Sequence, residues 1–332
     1  MRKIAILTSG GDAPGMNACI RSIVLTSLRF GLEVYGYRHG YNGLLEQEYQ
    51  SLRAKKVTNI IQRGGTILHS ARCVAFKSDD AARLAAKNLD SLGIDALLVI
   101  GGDGSFRGAA HLAKHWKGQV IGLPGTIDND IYGTDATIGY FTAIETALDS
   151  IDKVRDTADA FERIFLVEVM GRNAGFIGLS AAIASASDNI LVPELAKDVD
   201  IEIADIIAHV EALKQRSGTS SYIIVITENL WPGGATKLAE TLEEKTNIEC
   251  RPVILGHVQR GGSPVSQDRI LATKLGAYAV EAAIAGKTKV MVGEINQVVS
   301  CLPIEESWTK HKTLDPYLVK IQQDYFDIIN RP

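Results

Sequence analysis

Short apolar runs alternate with amphipathic stretches along almost the whole chain. IAIL at 4–7, EVYGY at 33–37, ALLVI at 96–100 and QVIGL at 119–123 each have the length of a buried strand. Between them, apolar residues recur at helical spacing. Met16, Ile20, Ile23, Val24 and Leu28 share one face between 15 and 30. Ser78 followed by Asp79 and Asp80 caps an Ala/Leu-rich helix that reaches Leu92, and Gly93 stops it. A helix running to about Trp116 follows the glycine loop after residue 100. The rhythm continues with a helix over about 140–159, a strand at 164–170, an Ala-rich helix, NILV at 189–192, a helix near 201–216 and YIIVIT at 222–227. Another helix then precedes PVIL at 252–255, before a helix at 265–285, the strand KVMV and a terminal helix. Such βαβα order predicts mostly parallel sheets covered by helices on both faces. No linker, low-complexity tract or fixed-period repeat interrupts it.

Composition narrows the function. With 332 residues the chain is long enough for two cores, although one large α/β domain is possible. A net charge of -4 supplies no bulk basic field, so neither nucleic acid nor an anionic membrane is an expected partner. An anionic substrate must be held by a local group of arginines. Cys19, Cys73, Cys250 and Cys301 are far apart and form no CxxC, which argues for a reducing compartment. The opening apolar run breaks at Thr8, and the longest charge-free stretch, 173–187, is too short to span a bilayer. A cytoplasmic location is expected. The 31 glycines cluster directly after apolar runs, which suggests backbone access to ligands.

Several loops carry chemistry. Pro124-Gly125-Thr126-Ile127-Asp128-Asn129-Asp130 follows QVIGL; Pro-Gly ends the ladder there, placing Thr126, Asp128 and Asp130 at the carboxyl end of a buried strand. Asp128 could accept a proton from a substrate hydroxyl, and Asp130 could help hold a cation. Alone, the same pattern fits an Asx turn. TSGGDAPGMN at 8–17 joins a strand to a helix and could bind phosphate through backbone amides, although it is neither a P-loop nor GxGxxG. IGGDGSFRG at 100–108 places three glycines around Asp103, a carboxylate suited to the Mg²⁺ that bridges nucleotide phosphates. In SARCVAFK at 70–77, Arg72 could reach a γ-phosphate, and Cys73 and Phe76 could line a base or ribose pocket. MGRNAG and GHVQRGGSP contribute Arg172, His257 and Arg260, and Arg163 and Arg251 adjoin strands. Together they suit a phosphorylated substrate. Glu228, ending YIIVITE, could bond sugar hydroxyls.

In this order and spacing the loops resemble bacterial-type ATP-dependent 6-phosphofructokinases. The matching segments are TSGGDAPGMN, RGGT with SARC, GGDGS, PGTIDND with TIG, EVMGR and GHVQRGGSP, spread from residue 4 to about 280. The resemblance implies two three-layer αβα, Rossmann-like domains whose cleft takes ATP on one side and fructose 6-phosphate on the other. It implies an ATP-binding domain of 1–139 plus about 257–304, and a fructose 6-phosphate domain of 140–256 plus about 305–332. By carry-over, Asp128 is the base for the sugar 1-hydroxyl, and Thr126, Arg172 and Arg72 assist the transferring phosphoryl group. Gly11, Arg72, Cys73, Gly102, Gly104, Ser105 and Gly108 surround ATP, and Asp103 with Asp130 serves Mg²⁺. Met170, Gly171, Arg172, Glu228, His257 and Arg260 would hold the sugar phosphate, with Arg163 and Arg251 supplied by a neighbouring subunit of a homotetramer.

Two glycines bear on the phosphoryl donor. Pyrophosphate-using relatives tend to carry Asp where this chain has Gly104 and Lys where it has Gly125, so the resemblance is to the ATP branch. A non-catalytic homologue is the other alternative; such a chain should have lost Asp128, Asp103 or Arg172, and all are present. The effector cluster of regulated relatives is only partly matched. Arg21 and Arg155 fit it, Asp188 stands where a Glu is usual, and Leu25 replaces an arginine. The segment 217–221 has no cation. Weak control by ADP or phosphoenolpyruvate is the expectation.

Overall fold

The computed structural model describes residues 1–218 and 221–329. The chain forms two compact units. The first comprises Met1–Ile127, Ile131–Thr142 and Arg260–Lys312; the second comprises Asp128–Asp130, Ala143–Gln259 and the segment from Thr313 onward. The first unit thus runs on to Lys312, past the boundary expected near 304, and the chain leaves it for three residues at Asp128–Asp130.

The first unit is built on strands β1 (Lys3–Ser9), β2 (Glu33–Tyr37), β3 (Tyr49–Ser51), β4 (Ala96–Gly101) and β5 (Gln119–Pro124). The second contains β6 (Ile164–Val169), β7 (Asn189–Leu191), β8 (Tyr222–Thr227) and β9 (Cys250–Ile254). Strands β10 (Val290–Ile295) and β11 (Val298–Pro303) return to the first. Its sheet has seven strands in the order β11-β10-β5-β4-β1-β2-β3, and the second unit's has four, β7-β8-β6-β9. Pairing is parallel except at the two edges of the larger sheet, where β3 meets β2 and β11 meets β10 antiparallel. β3, three residues with one apolar, is too short for a reading by apolar runs, and β11 is half-buried at the sheet's edge, exposed at both ends. The helix Tyr41–Glu46 is likewise too short to leave a periodic signal.

Apolar runs become central strands because both faces are covered. All six residues of β4 and all six of β8 are buried. Each large side chain taken out of water there contributes about 1.5–3 kcal/mol. Truncating one, as in Leu98→Ala, would cost about 2–5 kcal/mol because a cavity is left behind. The helix Asp79–Leu92 begins as expected, with Ser78 Oγ accepting the Ala81 amide, and ends on Gly93 in the left-handed region. The regular helix after β4 ends at Leu112, and further turns carry the chain to Trp116.

Register decides where the loops emerge. Ser9 lies opposite Gly101, and Gly101 opposite Pro124, so β1, β4 and β5 end on one line. In the second unit Val169 lies opposite Thr227 and Glu168 opposite Ile254, so β6, β8 and β9 also end together. No helix among the described residues is long and apolar enough to cross a membrane.

Candidate active site

In the first unit, the loops after β1, β4 and β5 are stitched into one surface. Ser105 Oγ donates to the Ser9 carbonyl over 3.0 Å, and the Gly125 amide donates to Gly101 over 3.0 Å. Ser70 Oγ donates to the Gly10 carbonyl at 2.7 Å, and the Gly10 amide to Ala71 at 3.4 Å. The SARC segment is thereby fastened to the first glycine loop, which sets exposed Arg72 beside it. Buried Asn17 holds the intervening RGGT turn through the carbonyls of Arg63 and Gly64 and the amide of Ile67. Arg260 belongs to this unit, not with the other expected sugar-phosphate ligands; its guanidinium donates to the Asp12 carbonyl at 3.2 Å. A side chain at Gly11 would meet that guanidinium at 2.7 Å.

Gly102 precedes the helix Asp103–Leu112, so free amides and the positive end of the helix dipole face the loop. Asp103 is the first helical residue; its carboxylate, partly exposed, accepts from Arg107 Nε at 2.7 Å. Around Gly104 there is open space, whereas a Cβ on Gly108 would lie 2.9 Å from the Tyr41 ring. Tyr41 stacks on Phe76 with ring centres 4.1 Å apart and donates from its hydroxyl to the Ser105 carbonyl at 2.6 Å. Partly buried Cys73 packs on the same apolar cluster. Tyr41 is a wall residue that sequence reasoning missed; its only signal is an aromatic between two glycines, Gly40 and Gly43.

Beyond β5 the chain turns sharply. Thr137 Oγ1 donates to the Thr126 carbonyl at 2.6 Å, and Asn129 adopts φ +57°, a conformation asparagine tolerates. Thr126 and Asp128 are buried, 8% and 7% exposed, and Asp130 is half-buried. A side chain at Gly125 would strike Ile100 Cγ2 at 2.8 Å, so the lysine of pyrophosphate users would not fit here without movement. Fully buried Asp268, also unassigned from sequence, secures the following segment. Its carboxylate accepts the Gly139 amide at 2.8 Å and the Thr142 amide and hydroxyl at 2.7 and 2.5 Å. Burial raises its pKa, against those hydrogen bonds.

The second unit presents side chains rather than glycine-lined backbone. Arg172 sits at φ +58°, rare for a residue with a side chain, and its amide donates to Glu228 Oε1 at 3.0 Å. The Glu228 amide in turn donates to Val169 at 2.8 Å. Gly171 is required as glycine: its φ is +147°, and a Cβ would meet the Ala174 carbonyl at 2.5 Å. Buried Gln259 accepts the Met170 amide at 2.7 Å and donates to the Ala143 carbonyl at 3.2 Å, tying EVMGR to the turn Gly256–Arg260, where His257 is exposed.

Arg163 and Arg251 are elsewhere. They stand at the amino end of β6 and β9, where Phe165 lies opposite Arg251. The strand β6 separates them from Arg172 by about 17 Å of rise, so they do not join that group. Both grip Glu249: Arg163 Nε donates to one oxygen at 2.5 Å and Arg251 pairs with the other.

The residues expected at an effector site are partly engaged within the chain. Arg155 donates to the carbonyls of Ser185 and Ala186, and Asp188 accepts the Ile223 amide at 2.8 Å. Burial raises the Asp188 pKa, opposed by that amide and by Arg155. Arg21 is half-buried on the helix Met16–Arg29. Within 217–221, Thr219 and Ser220 lie outside the described residues.

Glycine-lined amides at one set of parallel strand ends, and arginine, histidine and carboxylate at another, define an α/β protein that handles phosphorylated ligands. Residues 3–283 match the family described as Phosphofructokinase. The chain belongs to that family. It is 47% identical over 323 residues to ATP-dependent 6-phosphofructokinase 1 of Thermus thermophilus, covering 97% of this chain and 99% of that one. It is 44% identical to the ATP-dependent 6-phosphofructokinase of Halothermothrix orenii, covering 97% and 98%. Its fold matches the phosphofructokinase of Saccharomyces cerevisiae at TM-score 0.85 and 34% identity, over 99% of this chain; it spans 47% of the yeast chain.

Proposed function

We propose that the protein phosphorylates the 1-hydroxyl of D-fructose 6-phosphate with ATP, giving fructose 1,6-bisphosphate and ADP in glycolysis. The observation that carries the reading is the pairing, in one chain, of the stitched glycine loops with buried Thr126 and Asp128 directly after β5. Near-full-length similarity to proteins named ATP-dependent 6-phosphofructokinase supports it.

In this reading Asp128 takes the proton of the attacking hydroxyl as its oxygen bonds to the γ-phosphorus. The bond from the γ-phosphorus to the bridging oxygen breaks, and that oxygen leaves with ADP. Thr126, Arg172 and Arg72 carry the charge on the phosphoryl oxygens in transfer. The amides of Gly11, Gly102, Gly104 and Gly108 admit the nucleotide phosphates close to the backbone, with Ser105 fixing the loop. Tyr41, Phe76 and Cys73 wall the base. Met170, Gly171, Glu228, His257 and Arg260 are the residues assigned to the sugar phosphate by the resemblance.

Asp103 fits Mg²⁺, offering an accessible hard oxygen at a helix start beside the open space of Gly104; Asp130 is the second carboxylate carried over for the ion. When bound, the ion would neutralise phosphate charge. Arg163 and Arg251 serve a neighbouring copy in a homotetramer, since their own strand holds them away from Arg172. A cytoplasmic location follows from the reaction.

The test is turnover of fructose 6-phosphate with Mg²⁺ and either ATP or pyrophosphate. Turnover with ATP alone is expected. Efficient turnover with pyrophosphate alone would overturn the donor assignment, and none with either donor would overturn the activity.

A further inference from the structure

Asp79, His111 and His115 bring three ligand atoms within 4.8 Å of one another. His115 Nε2 lies 3.2 Å and His111 Nε2 3.5 Å from the same oxygen, Asp79 Oδ1. A tetrahedral ion bound at about 2.0–2.1 Å keeps its donors about 3.4 Å apart. Two edges of one face of such a site are therefore matched, the third donor pair lying within 4.8 Å, and His111 Nε2 also lies 3.3 Å from the Ser78 carbonyl, which an ion would displace. We propose that these residues form a binding site for a transition-metal dication of the zinc class, separate from the nucleotide's magnesium.

The arrangement is held by features that do not need the metal. His111 and His115 are one turn apart after β4, and the amides of His115 and Trp116 donate to the Leu112 carbonyl to keep that turn helical. Trp116 Nε1 donates to Asp90 at 2.8 Å, which pins this segment to the helix Asp79–Leu92. Asp79 opens that helix, and Arg83 takes its other oxygen, Oδ2, leaving Oδ1 toward the imidazoles. The imidazoles are 21% and 18% exposed, enough to admit an ion while fixing the rings. Two imidazoles and one carboxylate favour Zn²⁺, Ni²⁺ or Cu²⁺ over Mg²⁺, and water completes the shell. His111 stands eight residues along its helix from Asp103, about 12 Å, so one ion cannot serve both. Metal binding would fasten together the two helices that follow the apolar nucleotide wall and the GGDG loop.

The experiment uses the full-length protein stripped with a chelator and titrated with Zn²⁺ against a chromophoric competitor, with Mg²⁺ in excess. One Zn²⁺ per chain is expected, lost at least about tenfold in affinity in His115→Gln, His111→Gln and Asp79→Asn. Zn²⁺ should also protect His111 and His115 of the unaltered protein from diethyl pyrocarbonate, a reading that needs no variant. Equal binding by the double variant His111→Gln/His115→Gln, or modification of both histidines unaffected by Zn²⁺, would overturn the site.

Discussion

In the proposed site, the first unit's loops and the second unit's would bind phosphate by opposite means. After β1 and β4 the chain offers glycines and amides, and what matters is the room left by absent side chains. After β6, β8 and β9 it offers Arg172, Glu228 and His257, and what matters is how each is held. The difference teaches that the two surfaces fail in different ways: one by adding an atom, the other by removing a charge.

Asp128→Asn should have the largest effect. It keeps the size and removes the proposed base, so kcat should fall about 10²–10⁴-fold with fructose 6-phosphate affinity far less changed. A steady-state assay retaining more than about a third of kcat would exclude Asp128 as the base.

Next comes charge removal at the other end of the smaller sheet. Arg251→Ser should raise the KM for fructose 6-phosphate with a smaller change in kcat, the loss of one charge-assisted contact being about 1.5–3 kcal/mol. Mixed oligomers of Arg251→Ser and Asp128→Asn chains should recover activity if that arginine serves a neighbour. Verified mixtures with no recovery would argue for sites complete within one chain.

The glycine surface should respond to added atoms according to the space each meets. A Cβ at Gly101 would lie 2.5 Å from both Ser105 Oγ and the Ser9 carbonyl. Gly101→Ala should therefore destabilise by about 1–3 kcal/mol. Gly104 faces open space. Gly104→Asp should leave urea stability within about 0.5 kcal/mol while weakening ATP use through like-charge repulsion. Unchanged ATP kinetics in a well-folded Gly104→Asp protein would remove that loop from the phosphate site.

A smaller effect concerns pH. Because burial raises the Asp268 pKa in the folded protein, its contribution is full below the unfolded value of about 4 and is lost as pH rises through the folded one. Asp268→Asn should be destabilised, since its amide nitrogen would face a donor, and its deficit against the unaltered protein should shrink as pH is raised. A deficit independent of pH in denaturant titrations would contradict this.

The smallest response should be to effectors. With Asp188 engaged at Ile223 and Leu25 uncharged, phosphoenolpyruvate at about 1 mM should barely inhibit at subsaturating fructose 6-phosphate. Steep sigmoidal inhibition below that concentration would reveal a working effector site.

Much of this was legible in the residue order because parallel strands buried on both faces must be apolar throughout, as β4 and β8 are. Their loops were legible because Pro124-Gly125 and Gly101-Gly102 announce where a strand stops. What stayed hidden depends on partners distant in sequence. Gln259 reads as a polar residue in a glycine turn until Met170 and Ala143 are seen on either side of it. Asp268 reads as a helix-start acid until it meets Gly139 and Thr142. Edge strand β3 is three residues, YQS, and β11, although apolar in sequence, is only half buried, so neither reads as a central strand.

The left-handed backbone at Arg172 has a consequence for evolution. Holding a residue with a side chain at φ +58° costs about 1–3 kcal/mol, and glycine would relieve it. Selection for thermal endurance alone would therefore favour Arg172→Gly, while selection for turnover would oppose it under the role proposed for Arg172. A lineage released from the need to react could drift to a sturdier and inert descendant in a single codon change.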